Sequence, residues 1–486
     1  MQKKINNLLF GALAMVSASV IASCQVVTNT GTTTTAPHVE LSELDRILQK
    51  YDQAGYEYEY SGEPVTITMS HWDAVGAAVE KAVVDAVLQG FNKRYPTITV
   101  ELEIVQSYEE IYGNRLGAGT AHDVFLVPDG SISGWASSGK IMNLTPYIDA
   151  SDLLDDLDDM YESCLTRYQY NPATGRMGNG NQLALPKDVG PQVMYYNKDW
   201  FEMMEVDLPP SDRIMTIPEA VEMWQALTKY SADGSKITGY GLAGMSIEGL
   251  VWSAGGDFLN PERTAFPTDP NTINGLKRGY QFKKDAVLNW KIEPPAAFVG
   301  ANSASSLFAQ QKVACVVSGR WDVATFRSLG FNWDVAHIPS FEVNPTKNCW
   351  SGSVGYGVNS KYEPGKPTAD ANKLEASWKL VEYIASKEGQ EILTSTGFQI
   401  PVYESLALDP ELVALEQSKG PASYEIFVEA AVHQNYGLWQ YRNNTAWKTN
   451  GYDLPSEHLF SDDPTKEITV DEFIEIARVK VTENLG

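Results

Sequence analysis

The chain has 486 residues, too many for a single hydrophobic core, so it should form at least two domains. Hydrophobic residues make up 43% and charged residues 20% of it, which is typical of a soluble globular protein and excludes a disordered or membrane-spanning chain. The formal net charge of −25 excludes a nucleic-acid partner, because phosphates would be repelled and no run of Lys or Arg offers contacts to them.

The first 23 residues predict a lipoprotein signal peptide. Lys3 and Lys4 give it a positive start, and residues 8–21 form an apolar run shorter than the roughly 20 residues that span a bilayer. The small residues before Cys24 resemble a bacterial lipobox, which implies cleavage before Cys24 and lipidation of its thiol. The alternative is an ordinary signal peptide followed by an unrelated cysteine. We therefore expect an extracytoplasmic protein, held by lipid on the outer face of the cell membrane or in the periplasm.

Residues 24–62 are predicted to form the lipidated end, a flexible tether and a short helix. Residues 28–36 are rich in Thr and uncharged, a composition that forms no core and suits a stalk between a membrane and a domain. An amphipathic helix is predicted over residues 40–53, and residues 56–60 alternate Tyr with Glu. No function follows from this alternation.

From residue 63 onward, the spacing of apolar residues predicts alternating strands and helices. The predicted elements are strands at 65–69, 97–105, 123–127, 313–317 and 333–338, and helices at 79–91, 107–117, 218–230 and 378–386. The order strand, helix, strand is typical of parallel βαβ units with right-handed crossovers. Because ligands bind beyond the carboxyl ends of parallel strands, residues 70–73 and 128–131 are the first segments to consider for a site.

The motifs of common enzymes and metal sites are missing from the sequence. It contains no G-x-S-x-G elbow, P-loop, H-E-x-x-H motif or EF-hand loop. The aspartates between residues 155 and 159 lack the spacing of a calcium loop and predict a solvated helix start. No catalytic residue, cofactor or metal is therefore expected. A carboxylate pair for glycoside hydrolysis is left open, because it needs only spatial proximity.

Three further cysteines are Cys164, Cys315 and Cys349. In an exported protein a disulfide can form, and Cys315 with Cys349 is the better pair because both lie in strand-like segments. Three buried free thiols are the alternative. Neither a C-x-x-C motif nor Cys/His spacing for zinc is present.

Several segments, in a fixed order, resemble the family 1 extracellular solute-binding proteins (the maltose-binding type) of ATP-binding-cassette (ABC) importers. The resemblance runs from about residue 65 to residue 405. The segments that carry it are FNKRYP at 91–96, AGTAHDV at 118–124, IMNLTP at 141–146, LPKD at 185–188, YYNKD at 195–199, WSAGGD at 252–257, GRWD at 319–322 and GQEILTSTGFQIP at 389–401. Each is weak alone, whereas their order and spacing together are specific.

The resemblance implies an α/β, two-lobe periplasmic-binding-protein-like fold of class II type, with a cleft between lobes that are joined by hinge strands. It places the N-terminal lobe at residues 63–188 and 314–372, and the C-terminal lobe at residues 189–313 and 373–486. It implies a non-enzymatic protein, expected to be a monomer, that captures a carbohydrate and delivers it to the permease of an ABC transporter. The alternatives are a secreted carbohydrate-active enzyme, or a sugar-binding sensor or adhesin of the same fold.

Candidate ligand-binding residues combine aromatic rings, which stack on the apolar face of a sugar, with polar groups that bind its hydroxyls. They are Trp72, Asp73, Asp129, Lys187, Asp188, Trp252, Gly256, Asp257, Arg320, Trp321, Gly352 and Tyr356. Arg320 and Trp321 match a family position that faces the cleft.

Each candidate also has a structural interpretation. Trp72 would cover the edge of a sheet, and Asp129 would cap the helix that starts near Ser131. Lys187 and Asp188, at the expected hinge, would form an ion pair with each other.

Overall fold

The computed structural model describes residues 42–72, 77–154, 156–342, 348–395, 397, 399–432, 434–435, 437, 445–461, 463, 465 and 467–485. The predicted signal peptide, Cys24 and most of the tether lie outside the described residues, as do Asp73, Asp155 and most of residues 436–444. Every helix among the described residues is too short or too polar to cross a bilayer.

Strands and helices alternate over most of the described chain. The strands are β1 (Val65–Trp72), β2 (Ile98–Val105), β3 (Val124–Pro128), β4 (Gln169–Asn171), β5 (Arg176–Met177), β6 (Asn181–Gln182), β7 (Leu185–Pro186), β8 (Gly190–Asn197), β9 (Lys229–Tyr230), β10 (Ile237–Ala243), β11 (Val313–Gly319), β12 (Trp333–Ala336), β13 (Cys349–Gly352), β14 (Val354–Val358) and β15 (Gln434–Asn435). The α-helices are α1 (Glu43–Gln53), α2 (Ala77–Arg94), α3 (Tyr108–Ala118), α4 (Ile132–Ala136), α5 (Thr145–Ile148), α6 (Glu162–Thr166), α7 (Lys198–Met203), α8 (Ile217–Leu227), α9 (Ile247–Ser253), α10 (Pro270–Leu288), α11 (Ala296–Val299), α12 (Ala304–Ala309), α13 (Val323–Phe326), α14 (Ala371–Ala385), α15 (Lys387–Thr394), α16 (Glu404–Ala407), α17 (Pro410–Lys419), α18 (Glu425–Val432), α19 (Ala446–Lys448), α20 (Leu454–Leu459) and α21 (Val470–Asn484). Short 3₁₀ turns span Leu157–Asp159, Arg320–Asp322 and Ser360–Tyr362, and a π-helical turn spans Thr449–Asp453.

The first sheet has five strands in the order β2-β1-β3-β14-β7. Strand β1 pairs in parallel with β2 and with β3, and β14 runs antiparallel to β3 and β7. All five residues of β3 are buried, as expected of a strand in a parallel sheet that is covered on both faces. The predicted βαβ start of the chain is confirmed.

The second sheet has the strand order β15-β13-β8-β11-β10-β9, and β12 also pairs with β8. Strands β10 and β11 are parallel, whereas β8 is antiparallel to β11, β12 and β13. A separate hydrophobic core, with Trp224 and Leu242 among its buried side chains, packs around this sheet.

The chain divides between the two sheets differently from the prediction. Residues 314–352 were expected in the N-terminal lobe, but β11 and β13 both pair with β8 in the second sheet. Residues 373–406 were expected in the C-terminal lobe, but helices α14 and α15 bury Leu380 and Ile392 in the core of the first sheet. Strand pairing and helix packing decide this division, and both depend on contacts far apart in the sequence.

Three segments carry the chain between the sheets. Lys187 to Val189 join β7 to β8, and Ser353 joins β13 to β14. The third lies near residues 399–407, where Val402 belongs to the first core and Ile400 to a core of the second sheet. Val189 forms a β-bridge with Ile400, so two of these segments pair with each other.

Part of the predicted tether is docked on the first core. Helix α1 buries Ile47 and Tyr51 there. The Arg94 side chain, at the end of α2, donates to the Leu48 carbonyl at 2.8 Å and to Glu388 Oε2 at 2.7 Å. The Tyr58 hydroxyl donates to the same Glu388 oxygen at 2.5 Å. Residues 42–60 are therefore a folded strap, and the Tyr/Glu alternation places tyrosine rings against the domain.

The three described cysteines are buried thiols outside any disulfide, so the predicted pair of Cys315 with Cys349 is wrong and the alternative is confirmed. Cys315 lies in β11 and Cys349 in β13, and β8 runs between these strands. Two strand spacings amount to about 9.5 Å. A disulfide needs Cα atoms closer than about 7 Å.

Candidate functional site

A cavity of about 360 Å³ lies where the two sheets and the three connecting segments meet. Its lining contains Trp72, Glu80, Glu109, Pro128, Asp129, Asp188, Val189, Gly190, Arg320, Trp321, Trp350, Gly352, Ser353, Val354 and Gln399. Trp72 ends β1, Asp129 follows β3, and Arg320 follows β11. The carboxyl ends of parallel strands from both sheets therefore open onto one cavity, as expected for α/β proteins.

The structure brings six of the predicted site residues together at this cavity: Trp72, Asp129, Asp188, Arg320, Trp321 and Gly352. Lys187 and Tyr356 lie directly behind it, buried and bonded to other protein groups. Trp252, Gly256 and Asp257 lie elsewhere, and Asp73 is outside the described residues.

The indole of Trp321 lies on a floor made of glycines. A Cβ atom on Gly319 would overlap its six-membered ring, and Cβ atoms on Gly352 and Gly190 would lie 3.3 and 3.4 Å from its Cζ3 atom. These three glycines come from the adjacent strands β11, β13 and β8. Because they lack side chains, the ring packs on the backbone while 38% of the residue stays exposed. Trp321 is thus a supported aromatic platform at the cavity.

Glu80, one turn into α2, is a lining carboxylate with three partners. Its Oε1 atom accepts hydrogen bonds from the Trp72 indole at 2.9 Å and from the Lys187 ammonium at 3.2 Å. The same oxygen lies 3.0 Å from Nε2 of His71. Burial alone would raise the pKa of Glu80, but Lys187 and the His71 hydrogen bond lower it to about 2. Glu80 is therefore a carboxylate under all ordinary conditions.

The hydrogen-bond partners of His71 fix its tautomer. Burial lowers the pKa of His71, so the ring is neutral. The Tyr356 hydroxyl lies 2.8 Å from Nδ1, and burial holds its pKa well above its usual range, so Tyr356 donates. Nε2 then carries the proton and donates to Glu80. Tyr356 and His71 thus support Glu80 from behind the cavity and take no part in its lining.

Lys187 is fully buried between two carboxylates, Glu80 at 3.2 Å and Asp188 at 3.1 Å. Burial opposes its charge, but Asp188 and Glu80 together raise the pKa of Lys187 above its ordinary value. The predicted ion pair of Lys187 with Asp188 is therefore present. Asp188 also accepts the backbone N–H of Val354 at 3.1 Å, and its carbonyl accepts the Ser353 hydroxyl at 2.7 Å. These bonds tie two of the connecting segments together.

Two arginines next to the cavity are paired with acids. Arg167 donates to Asp129 at 3.1 Å and to the Ser351 carbonyl at 3.2 Å. Arg320, 2% exposed, donates to the buried carboxylate of Glu416 and to the Gly397 carbonyl. Asp129 is thus an ion-pair partner, and Ser131 is the residue that directly precedes α4.

The predicted cluster at residues 252–257 is structural. The Trp252 ring is buried beside Phe258, in a core to which the C-terminal helix α21 contributes. A Cβ on Gly256 would clash with the backbone of Gly275 at 2.6 Å, so this glycine serves the contact between α9 and α10. Asp257 pairs with Arg263 at 2.8 Å.

Sequence reasoning missed five polar or aromatic residues of the lining, Glu80, Glu109, Trp350, Ser353 and Gln399. Glu80 and Glu109 occupy the first turns of α2 and α3, which follow β1 and β2. Their position in the sequence, shortly after a predicted strand, could have identified them as lining residues. Within the described chain no group of acids, His and Cys is arranged to hold a metal ion.

Comparisons with known proteins agree with this architecture. The family described as bacterial extracellular solute-binding protein matches residues 71–391. The galactooligosaccharide-binding protein of Bacillus subtilis (strain 168) is 23% identical over 332 residues, which cover 64% of this chain and 68% of that protein.

Solved structures show the same fold. The ABC substrate-binding protein Lmo0181 from Listeria monocytogenes, in complex with cycloalternan, superimposes with a TM-score of 0.67 at 17% identity and covers 87% of this chain and 99% of its own. UgpB from Mycobacterium tuberculosis, in complex with glycerophosphocholine, has a TM-score of 0.66 at 16% identity and covers 87% and 98%. The family match spans well over half of the chain, from β1 to α15. The chain therefore belongs to the bacterial extracellular solute-binding protein family and has its two-lobe α/β fold.

Proposed function

We propose that this protein captures a carbohydrate, an oligosaccharide or a smaller sugar, in the cavity and delivers it to the permease of an ABC transporter. Family membership supports solute capture. The names of the Bacillus and Listeria proteins, which bind galactooligosaccharide and cycloalternan, favour a sugar. The observation that carries the proposal is the Trp321 platform beside the carboxylates Glu80 and Asp188.

This combination matches the two surfaces of a sugar. The C–H face of a pyranose is apolar and packs on an aromatic ring, whereas its hydroxyls donate to carboxylates. Trp321 and Trp350 lie on one side of the cavity, on the second sheet, and Glu80 and Asp129 lie on the other. A solute between them contacts both sheets, and binding favours whichever arrangement of the lobes gives it more contacts.

The remaining parts of the proposal concern location and chemistry. Lipidation of Cys24 would anchor the protein outside the cytoplasm, with residues 25–41 as the tether and residues 42–60 docked on the domain. The protein would act as a monomer, without a cofactor, and would release its solute unchanged.

The test is thermal unfolding of the purified protein against maltotriose, galactooligosaccharides, monosaccharides, polyols, amino acids and peptides. A solute at 100 times its dissociation constant stabilises the folded state by about 2.7 kcal/mol, which raises the unfolding midpoint measurably. We expect a rise with one class of sugar and full recovery of that sugar by chromatography. A shift with amino acids or peptides alone would contradict the sugar assignment, and consumption of the sugar would support the enzyme alternative.

A further inference from the structure

We infer that Glu80 contacts the solute directly, and that the cavity takes an uncharged, hydroxyl-donating sugar and rejects phosphorylated or carboxylated solutes. The inference deepens the proposed function, on which it rests, by naming one contact residue and the charge class of the sugar.

The first step is the unequal use of the two Glu80 oxygens. Oε1 receives the indole N–H of Trp72, the ammonium of Lys187 and the ring N–H of His71. Within the described residues Oε2 has no hydrogen-bond partner, and it is not among the fully buried polar atoms that lack one. Since Glu80 lines the cavity, Oε2 is the acceptor that it offers to a solute.

The second step is that Glu80 is fixed in position and in charge. Only 5% of its side chain is exposed, and its three donors come from β1 and from the segment between β7 and β8. A carboxylate that is already desolvated and oriented gives a solute hydroxyl a charge-assisted hydrogen bond with little loss of conformational freedom.

The third step concerns the cations near the cavity, each of which is neutralised by the protein. Lys187 lies between Glu80 and Asp188, and Arg167 pairs with Asp129. Arg320 pairs with Glu416, and its Nε and Nη1 atoms, which have no hydrogen-bond partner among the described residues, are buried away from the cavity. A phosphate or carboxylate group needs a charged donor that is free to pair with it, and none of these three cations meets that need.

The fourth step concerns the negative charge of the cavity lining. It contains the four carboxylates Glu80, Glu109, Asp129 and Asp188, and Arg320 is its one basic side chain among the described residues. The whole chain carries a formal charge of −25 as well. Like charges in a partly desolvated cavity repel strongly, so an anionic solute would lose affinity relative to the same solute without its charge.

The experiment combines wild-type selectivity with a pair of variants. The wild type is titrated calorimetrically with maltotriose and galactooligosaccharides, and with glycerol 3-phosphate, glucose 6-phosphate and oligogalacturonate as anionic probes. Glu80→Gln and Glu110→Gln are then titrated with the neutral sugar that binds best. Each variant removes one negative charge, but Glu110 is exposed on α3 and lies outside the lining. Midpoints of thermal unfolding without sugar show whether each variant is folded.

We expect the wild type to bind a neutral sugar and no anionic probe. Glu80→Gln should weaken sugar binding roughly 10- to 100-fold, the loss expected for a charge-assisted hydrogen bond, and Glu110→Gln by less than about threefold. Equal affinities of wild type and Glu80→Gln for the sugar would overturn the inference and leave the proposed function intact. Binding of an anionic probe in preference to the neutral sugars would overturn the charge class without any variant, and failure of every sugar would overturn the proposed function together with the inference.

Discussion

Replacing Trp321 by Ala should remove the aromatic platform and leave the fold intact. The ring packs on the backbone of Gly190, Gly319 and Gly352, and the residue is 38% exposed. Its loss therefore opens space at the cavity wall, where water can enter, and creates no closed void in a core.

The loss of affinity follows from the area that a sugar can cover. A tryptophan side chain has about 250 Å² of surface, and the exposed fraction of Trp321 is 38%. This leaves about 95 Å² open to a solute, worth about 2.4 kcal/mol at 25 cal/mol per Å². A sugar that covers half to all of this area loses about 1.2–2.4 kcal/mol in the variant, so its dissociation constant should rise roughly 8- to 60-fold.

The assay is calorimetric titration with the sugar identified by thermal unfolding, together with chemical denaturation of each protein without sugar. Trp252→Phe is the matched control, because Trp252 is buried in a core that does not line the cavity. This variant should lose roughly 1–3 kcal/mol of stability and keep its affinity within about twofold. Trp321→Ala should instead keep its stability and lose affinity for the sugar. An unchanged dissociation constant in Trp321→Ala would refute the assignment of this ring as a binding platform.

Three further predictions follow from the same structure. Gly319→Ala should push the Trp321 ring off its floor and weaken sugar binding, which titration measures, whereas the exposed Gly117→Ala should leave affinity unchanged. The pKa of Glu80 falls from the usual 4.5 to about 2 on folding, so the unfolded chain binds the proton more readily. The ionised Glu80 therefore contributes on the order of 3 kcal/mol to the free energy of unfolding above pH 4.5, and this contribution is lost as the pH falls from 4.5 to 2. Urea unfolding across this range should show that the free energy of unfolding falls less in Glu80→Gln than in the wild type. Burial raises the pKa of Cys164 and of Cys349 to about 12, so these thiols should react slowly in the folded protein. Mass spectrometry should show that iodoacetamide modifies them and the buried Cys315 only after unfolding. Because the three thiols form no disulfide, a reductant should not shift the unfolding midpoint.

Sequence patterns located the part of the site that lies next to strand ends. Trp72, Asp129 and Trp321 each follow or end a buried strand, and the period of apolar residues reveals such strands. Parallel pairing then brings their carboxyl ends to one edge of a sheet. For these residues, the buried strand that produces the apolar pattern in the sequence also brings the side chain to the cavity.

The remaining site residues depend on contacts that no local pattern encodes. Glu80 belongs to the lining because its partner Lys187, 107 positions later, holds it there. Trp252 has the same local features as Trp321, an aromatic ring close to glycines, but it is buried in a core to which the distant helix α21 contributes. The lobe boundaries failed for the same reason, since β11 joins the sheet that contains its partner β8.

The lining residues also tie the two sheets together. Asp129, at the end of the first sheet, pairs with Arg167, and Arg167 also binds the carbonyl of Ser351 in the second sheet. Asp188 holds the connecting segment at Val354. To reverse a 1:99 distribution of two lobe arrangements, a solute must bind one of them better by about 5.5 kcal/mol. Charge-assisted hydrogen bonds contribute about 1.5–3 kcal/mol each. Two to four such bonds, made only in the favoured arrangement, are therefore enough, and the four carboxylates of the lining can supply them.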